Sequence, residues 1–146
     1  VVKKRRMQRQ STSGPFDRAE TVVVVCRGGD CGSRRKHPTL DHADQLRRIR
    51  EGVGDDVTVT VSKCLDACER SNVVVVIPSA RARIIDPSPV WIGELNDADS
   101  TDDVIEWVAD GGPAVVAPPP IVDILRFSPT RMNRHELEDG AVTLPR

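Results

Sequence analysis

The chain has 146 residues, one domain's worth, with 38% hydrophobic residues and a formal net charge of −1. That balance excludes binding to nucleic acid or a membrane surface through bulk positive charge, and no apolar run approaches the ~18 residues of a membrane span. Val and Ile cluster in short runs while both ends are polar, so a compact core of about 90–100 residues with loose tails is expected.

Residues 1–19 read as a disordered basic leader, because VVKKRRMQRQSTSGP has no apolar periodicity and ends in a Gly14-Pro15 breaker. It lacks the apolar stretch of about 7–15 residues found in secretory signals, which points to a cytoplasmic protein. Disulfides are rare in that compartment, so four cysteines there more often mean metal or redox chemistry.

Thr21–Val25 is a continuous β-branched run, the pattern of a strand buried on both faces. CRGGDCGSRRKHP follows as a Gly-rich, charged loop closed by Pro38. Asp41 to about Glu51 predicts a helix with Asp41 as N-cap and Ala43, Leu46 and Ile49 or Arg50 at helical spacing; Gly52 and Gly54 end it. Val57–Val61 alternates strictly and predicts a strand with one face less buried. KCLDACERSN is a second loop or single helical turn, followed by a third strand at Val73–Ile77.

A fourth, short strand is predicted at Val90–Gly93. A helix then starts near Asp99 with Ser100 or Thr101 as cap, turns Val104, Ile105 and Val108 inward, and stops at Gly111-Gly112-Pro113. Trp91 and Trp107 are expected to pack between strand four and this helix. A weakly helical stretch near Ile121–Phe127 and a charged tail make residues 114–146 a C-terminal extension, partly helical or disordered. The order β-α-β, then β-β-α, is that of a thioredoxin-like α/β sandwich with a mixed sheet of about four strands. Its first two strands would be parallel through the helical crossover.

The cysteines fall at Cys26, Cys31, Cys64 and Cys68, a C-x4-C-x32-C-x3-C pattern. Cys26 follows the first strand and Cys64 lies just past the second. Parallel strands end at the same edge, so both pairs are expected at one pole of the sheet. Thiolate is the soft ligand of zinc and of iron–sulfur clusters. Spacings of four and three are wide for one tetrahedral ion, whereas a binuclear cluster accepts a wider spread. The C-x4-C-x2-C run of plant-type ferredoxins is absent. Gly28, Gly29 and Gly32 let backbone amides approach the sulfurs, and Arg27, Arg34, Arg35, Lys36, Lys63 and Arg70 put positive potential at the same pole.

The strings VVVVCRGGDC, VSKCLDACERSNVVVVIPS and VWIGEL resemble the thioredoxin-like [2Fe–2S] ferredoxins and the related cluster subunit of respiratory NADH dehydrogenase, over roughly residues 20–113. That resemblance implies one [2Fe–2S] cluster, with Cys26 and Cys31 on one iron and Cys64 and Cys68 on the other. It also implies a one-electron carrier, not an enzyme, that meets redox partner proteins. Members of this kind often dimerise, which leaves a homodimer open here.

Two other readings use the same thiols. One is a structural zinc-binding interaction module. The other is a thiol–disulfide oxidoreductase, which would want a C-x-x-C at a helix start that this sequence lacks. His37 and His42 could replace a thiolate as in Rieske centres, but four cysteines already complete the shell, and His135 lies in the polar tail. Asp30, Asp66 and Glu69 read as loop charges that orient a redox partner.

Overall fold

The computed structural model describes residues 19–143, so the expected leader, apart from Ala19, lies outside the described residues. The valine run forms β1 (Val22–Cys26), and all five residues are buried. Successive strand side chains point to opposite faces. Val23 and Val25 therefore enter one core, while Val22, Val24 and Cys26 enter a second core on the other face.

β1 pairs in parallel with β2 (Thr58–Ser62) and antiparallel with β3 (Val74–Ile77). β3 pairs antiparallel with β4 (Val90–Ile92), and β4 with β5 (Arg126–Phe127). The sheet order is β2-β1-β3-β4-β5. Five strands stand where about four were expected, because two residues of β5 are too short to show a periodicity. β2 lies at the edge, and its Val59, with Val57 just before it, is only partly buried against the first core. The alternating pattern follows from that edge position.

α1 (His42–Gly52) starts at Asp41, whose carboxylate accepts the Asp44 N–H at 3.0 Å. Its buried residues are Gln45 and Ile49, with Leu46 partly buried, whereas Ala43 and Arg50 are exposed. Gln45 can be buried because its amide donates to Leu95 O (2.9 Å) and Thr101 Oγ1 (3.0 Å).

α2 (Ala98–Ala109) is capped by Asp97, not by Ser100 or Thr101. Asp97 accepts the Ser100 N–H at 2.7 Å, and the Thr101 hydroxyl turns back to Asp97 O at 2.7 Å. Past its end, Gly111 and Gly112 take φ of +137° and +73°, a reversal that favours glycine.

After Pro113 the chain adds α3 (Pro120–Leu125), β5 and α4 (Arg131–Thr143). The last helix sends Leu137 into the second core. The two tryptophans are core residues on opposite faces, rather than neighbours. Trp91 meets Phe127 edge-on at 6.0 Å between ring centres, while the Trp107 indole donates to Val116 O at 2.9 Å. Among the described residues no helix is long and apolar enough to cross a membrane.

Candidate metal centre

The parallel register sets Cys26 opposite Ser62, so the chain leaves β1 and β2 at the same edge. Arg27 N–H donates to Ser62 O at 3.0 Å, and Cys26 N–H to Val73 O at 3.1 Å. The first loop makes one 3-10 turn at Gly29–Gly32, which carries Cys31. In the second loop a matching turn, Cys68–Arg70, begins on Cys68.

Two glycines let these loops touch. A Cβ on Gly28 would lie 2.1 Å from the backbone nitrogen of Cys64, so backbone packs directly on backbone there. Gly29 takes φ +56°, and a Cβ on it would lie 2.9 Å from Cys68 Sγ and 3.3 Å from Cys64 Sγ. The first loop therefore lies over the sulfurs of the second pair.

The four thiols converge as two couples. Cys64 Sγ and Cys68 Sγ are 3.6 Å apart. Cys26 Sγ lies 3.5 Å from Lys63 O, the carbonyl just before Cys64. Cys26 and Cys31 are 1% and 2% exposed, whereas Cys64 and Cys68 are half-buried, so only one couple faces solvent. The hydrogen bond from the Cys31 thiol holds Cys26 down at about 6 against the opposing effect of burial. Its role as donor in that bond, together with burial, pushes Cys31 up. Burial raises Cys64 as well. Backbone amides point at sulfur: Val73 N–H at Cys31 Sγ (3.3 Å), Asp66 N–H at Cys64 Sγ (3.4 Å), and those of Gly28 and Leu65 toward Cys26.

Two thiolates on one tetrahedral ion, with bonds of about 2.3 Å, sit about 3.8 Å apart. The Cys64–Cys68 separation of 3.6 Å suits that edge. Among the described residues, however, no three or more His, Cys, Asp or Glu side chains are placed to hold a single metal ion. Four thiols, two of them 3.6 Å apart, are the soft donors that an iron–sulfur group takes.

The basic residues expected to surround this pole are largely engaged. Arg27 is a strut: its guanidinium donates to Cys26 O (3.2 Å), Asn72 Oδ1 (3.4 Å), His42 O (3.0 Å) and Gln45 Oε1 (2.8 Å). Burial lowers its basicity, while Cys31 and Cys26 oppose that effect. Lys36 pairs with Asp30 at 2.9 Å, Lys63 with Asp139 at 3.4 Å, and Arg70 lies over the Phe127 ring at 5.0 Å. His37 Nε2 is 2.8 Å from Ser71 Oγ, and the exposed His135 sits on α4. The ring nitrogens of His42 are buried with no partner among the described residues; burial, then Arg27, keeps that imidazole less basic than usual.

Sequence reasoning missed the buried amides that brace the loops. Asn72 Nδ2 donates to Asn96 Oδ1 (2.8 Å), and Asn96 Nδ2 to Ser71 O (3.1 Å). Asn133 Nδ2 donates to Leu65 O (3.0 Å) and Asp66 O (2.8 Å). The Thr130-x-x-Asn133 spacing, a helix-start signal, was the one clue to the last of these.

No family model and no curated protein matches the chain. The chain is similar to solved structures of one kind. The wild-type thioredoxin-like [2Fe–2S] ferredoxin from Aquifex aeolicus is 22% identical with a TM-score of 0.50, over 75% of this chain and 98% of that one. A second structure of a thioredoxin-like [2Fe–2S] ferredoxin from Aquifex aeolicus is 21% identical, also with a TM-score of 0.50, over 75% of this chain and 91% of the other. The likeness establishes a thioredoxin-like α/β fold for this chain.

Proposed function

We propose that this chain is an electron carrier that holds one [2Fe–2S] cluster on Cys26, Cys31, Cys64 and Cys68 and turns over no substrate of its own. The observation that carries the reading is the meeting of two cysteine couples, 38 positions apart between their first members, at one edge of the sheet. In this reading Cys26 and Cys31 take one iron, and Cys64 and Cys68 the other. When bound, such a cluster supplies one-electron chemistry.

The chain's own residues do the rest. Gly28 and Gly29 admit the close packing of the loops, and the N–H groups of Val73 and Asp66 donate to sulfur, which stabilises the more negative, reduced state. Burial shields Cys26 and Cys31, so electrons enter and leave at the half-buried Cys64 and Cys68 edge, beside the exposed Asp66 and Glu69. Partner proteins meet that edge in small, transient contacts, often below about 1,200 Å² in total, that weaken as salt rises. None of the four cysteines is in a disulfide, in keeping with a carrier of the reducing cytoplasm.

Anaerobically purified protein is expected to be red-brown, with about two irons and two sulfides per chain. Serine at any one of the four cysteine positions bleaches or rearranges the visible spectrum. Colourless protein carrying one zinc, or variants at Cys26 and Cys64 that both keep the wild-type spectrum, would overturn the assignment.

A further inference from the structure

Both ends of the Asn133 side-chain amide are engaged. The residue is 4% exposed and lies in the first turn of α4. Its Oδ1 accepts the Thr130 N–H at 2.9 Å, and its own N–H donates to Thr130 Oγ1 at 3.0 Å, a reciprocal cap that fixes the side chain to the helix start. The two remaining donors, both on Nδ2, reach across to Leu65 O at 3.0 Å and Asp66 O at 2.8 Å. Those carbonyls lie in the middle of the Cys64–Cys68 loop.

Asp66 is the unusual residue of that loop. Its φ is +61°, a left-handed conformation uncommon for a residue with a Cβ. Its N–H shares one rigid peptide plane with the Leu65 carbonyl and reaches Cys64 Sγ at 3.4 Å. The Asp66 carbonyl is thus held by Asn133 while its amide holds the sulfur. Leu137, one turn further along α4, is 2% exposed in the core that contains Cys26, Cys31 and Leu65, and the Lys63–Asp139 pair ties the same helix to the residue before Cys64. The helix is anchored at three points around the loop, and Asn133 is the point that touches its backbone.

We propose that Asn133 is a positioning residue for the metal centre: by bonding the Leu65 and Asp66 carbonyls it locks the left-handed Asp66, aims the Asp66 N–H at the Cys64 sulfur, and so sets the potential and the retention of the cluster. This rests on the cluster reading above. Amide donors to a cluster sulfur favour the reduced state, and outer partners that orient a ligand commonly change metal affinity about 10–100-fold when removed.

The test uses the full chain. Wild-type protein is first assayed for iron and sulfide; if it holds neither, the cluster reading itself has failed and the variants are not interpreted. With cluster present, Asn133→Ala and Asn133→Asp are compared for midpoint potential and for the rate of iron loss to a chelator. Asn133→Asp keeps an oxygen to accept the Thr130 N–H but removes the amide donors. Thr130→Ala weakens the helix cap and leaves those donors in place.

Both Asn133 variants are expected to have a lower potential and to lose iron about ten times faster or more, with Thr130→Ala close to wild type. Wild-type potential and iron loss in Asn133→Ala would overturn the proposal. So would an equal effect of Thr130→Ala, because the role would then be helix stability alone. If Asn133→Ala retains no cluster, the double variant Asn133→Ala/Asp66→Gly decides. Glycine adopts positive φ without a brace, so recovered cluster supports the proposal and continued loss overturns it.

Discussion

A methyl group on Gly28 would enter a space already filled by the backbone nitrogen of Cys64, 2.1 Å away, and the Lys63 carbonyl carbon, 2.7 Å away. Backbone cannot rotate aside as a side chain can, so the two cysteine loops must separate. Gly28→Ala is therefore expected to cost about 1–3 kcal/mol or more, measured by denaturant unfolding. It should also lower bound iron far more than an equally destabilising change elsewhere. Unchanged stability and iron content would show that the loops are not in contact at this point. The Gly-Gly pair was visible in the sequence as a place of close approach. Which backbone comes close was not, because Cys64 is 36 positions further along the chain. Asn133 shows the opposite case: an amide in a polar stretch looks like surface until the carbonyls of Leu65 and Asp66 are found beside it.

Helix starts show how local chemistry chooses among neighbouring candidates. Two of the helices that pack on the first core, α1 and α2, begin at an aspartate whose carboxylate accepts the N–H three residues on: Asp41 from Asp44 and Asp97 from Ser100. Asp41 was legible because a loop ends there. Asp97 was harder to see, since Asp97, Asp99, Ser100 and Thr101 could all cap. The fold chose Asp97, which leaves Ser100 and Thr101 buried inside the helix, with the Thr101 hydroxyl both accepting from Gln45 and donating to Asp97 O. Asp97→Ala is expected to cost about 1 kcal/mol, or roughly 2–4 °C in Tm at this size, read by thermal unfolding. Ser100→Ala, which loses a hydroxyl bond to Asp97 Oδ2 but no backbone cap, should cost less. The reverse order would place the cap at Ser100 after all.

Across the whole molecule, the sheet divides the interior into two cores with different duties. The first, under α1 and α2, contains Ile92, Val104 and Trp107 and none of the cysteines. The second contains Cys26 and Cys31 beside Leu65 and Leu137. Ile92→Ala and Leu137→Ala remove similar buried volume, and each is expected to cost about 2–5 kcal/mol. Only Leu137→Ala loosens α4 over the second cysteine loop, so it alone should speed iron loss to a chelator at temperatures well below unfolding. Equal rates in the two variants would show that the cores do not act separately. This division also explains why β1 carries no polar residue along Val22–Val25: both of its faces are interior.

Strand β1, the alternating β2, the α1 cap and the placement of both cysteine couples after parallel strands were determined by the sequence itself, since each depends on neighbours a few residues away. Period-two burial and N-cap chemistry are local, and parallel pairing follows from a helix between two strands. The short β5, the separation of Trp91 from Trp107, the engagement of Arg27 and the hold of Asn133 on Asp66 were decided only in three dimensions. Each is a pairing between groups distant in the chain whose partners satisfy a buried donor or fill a face. No period or spacing along the chain records which distant carbonyl or ring will be there.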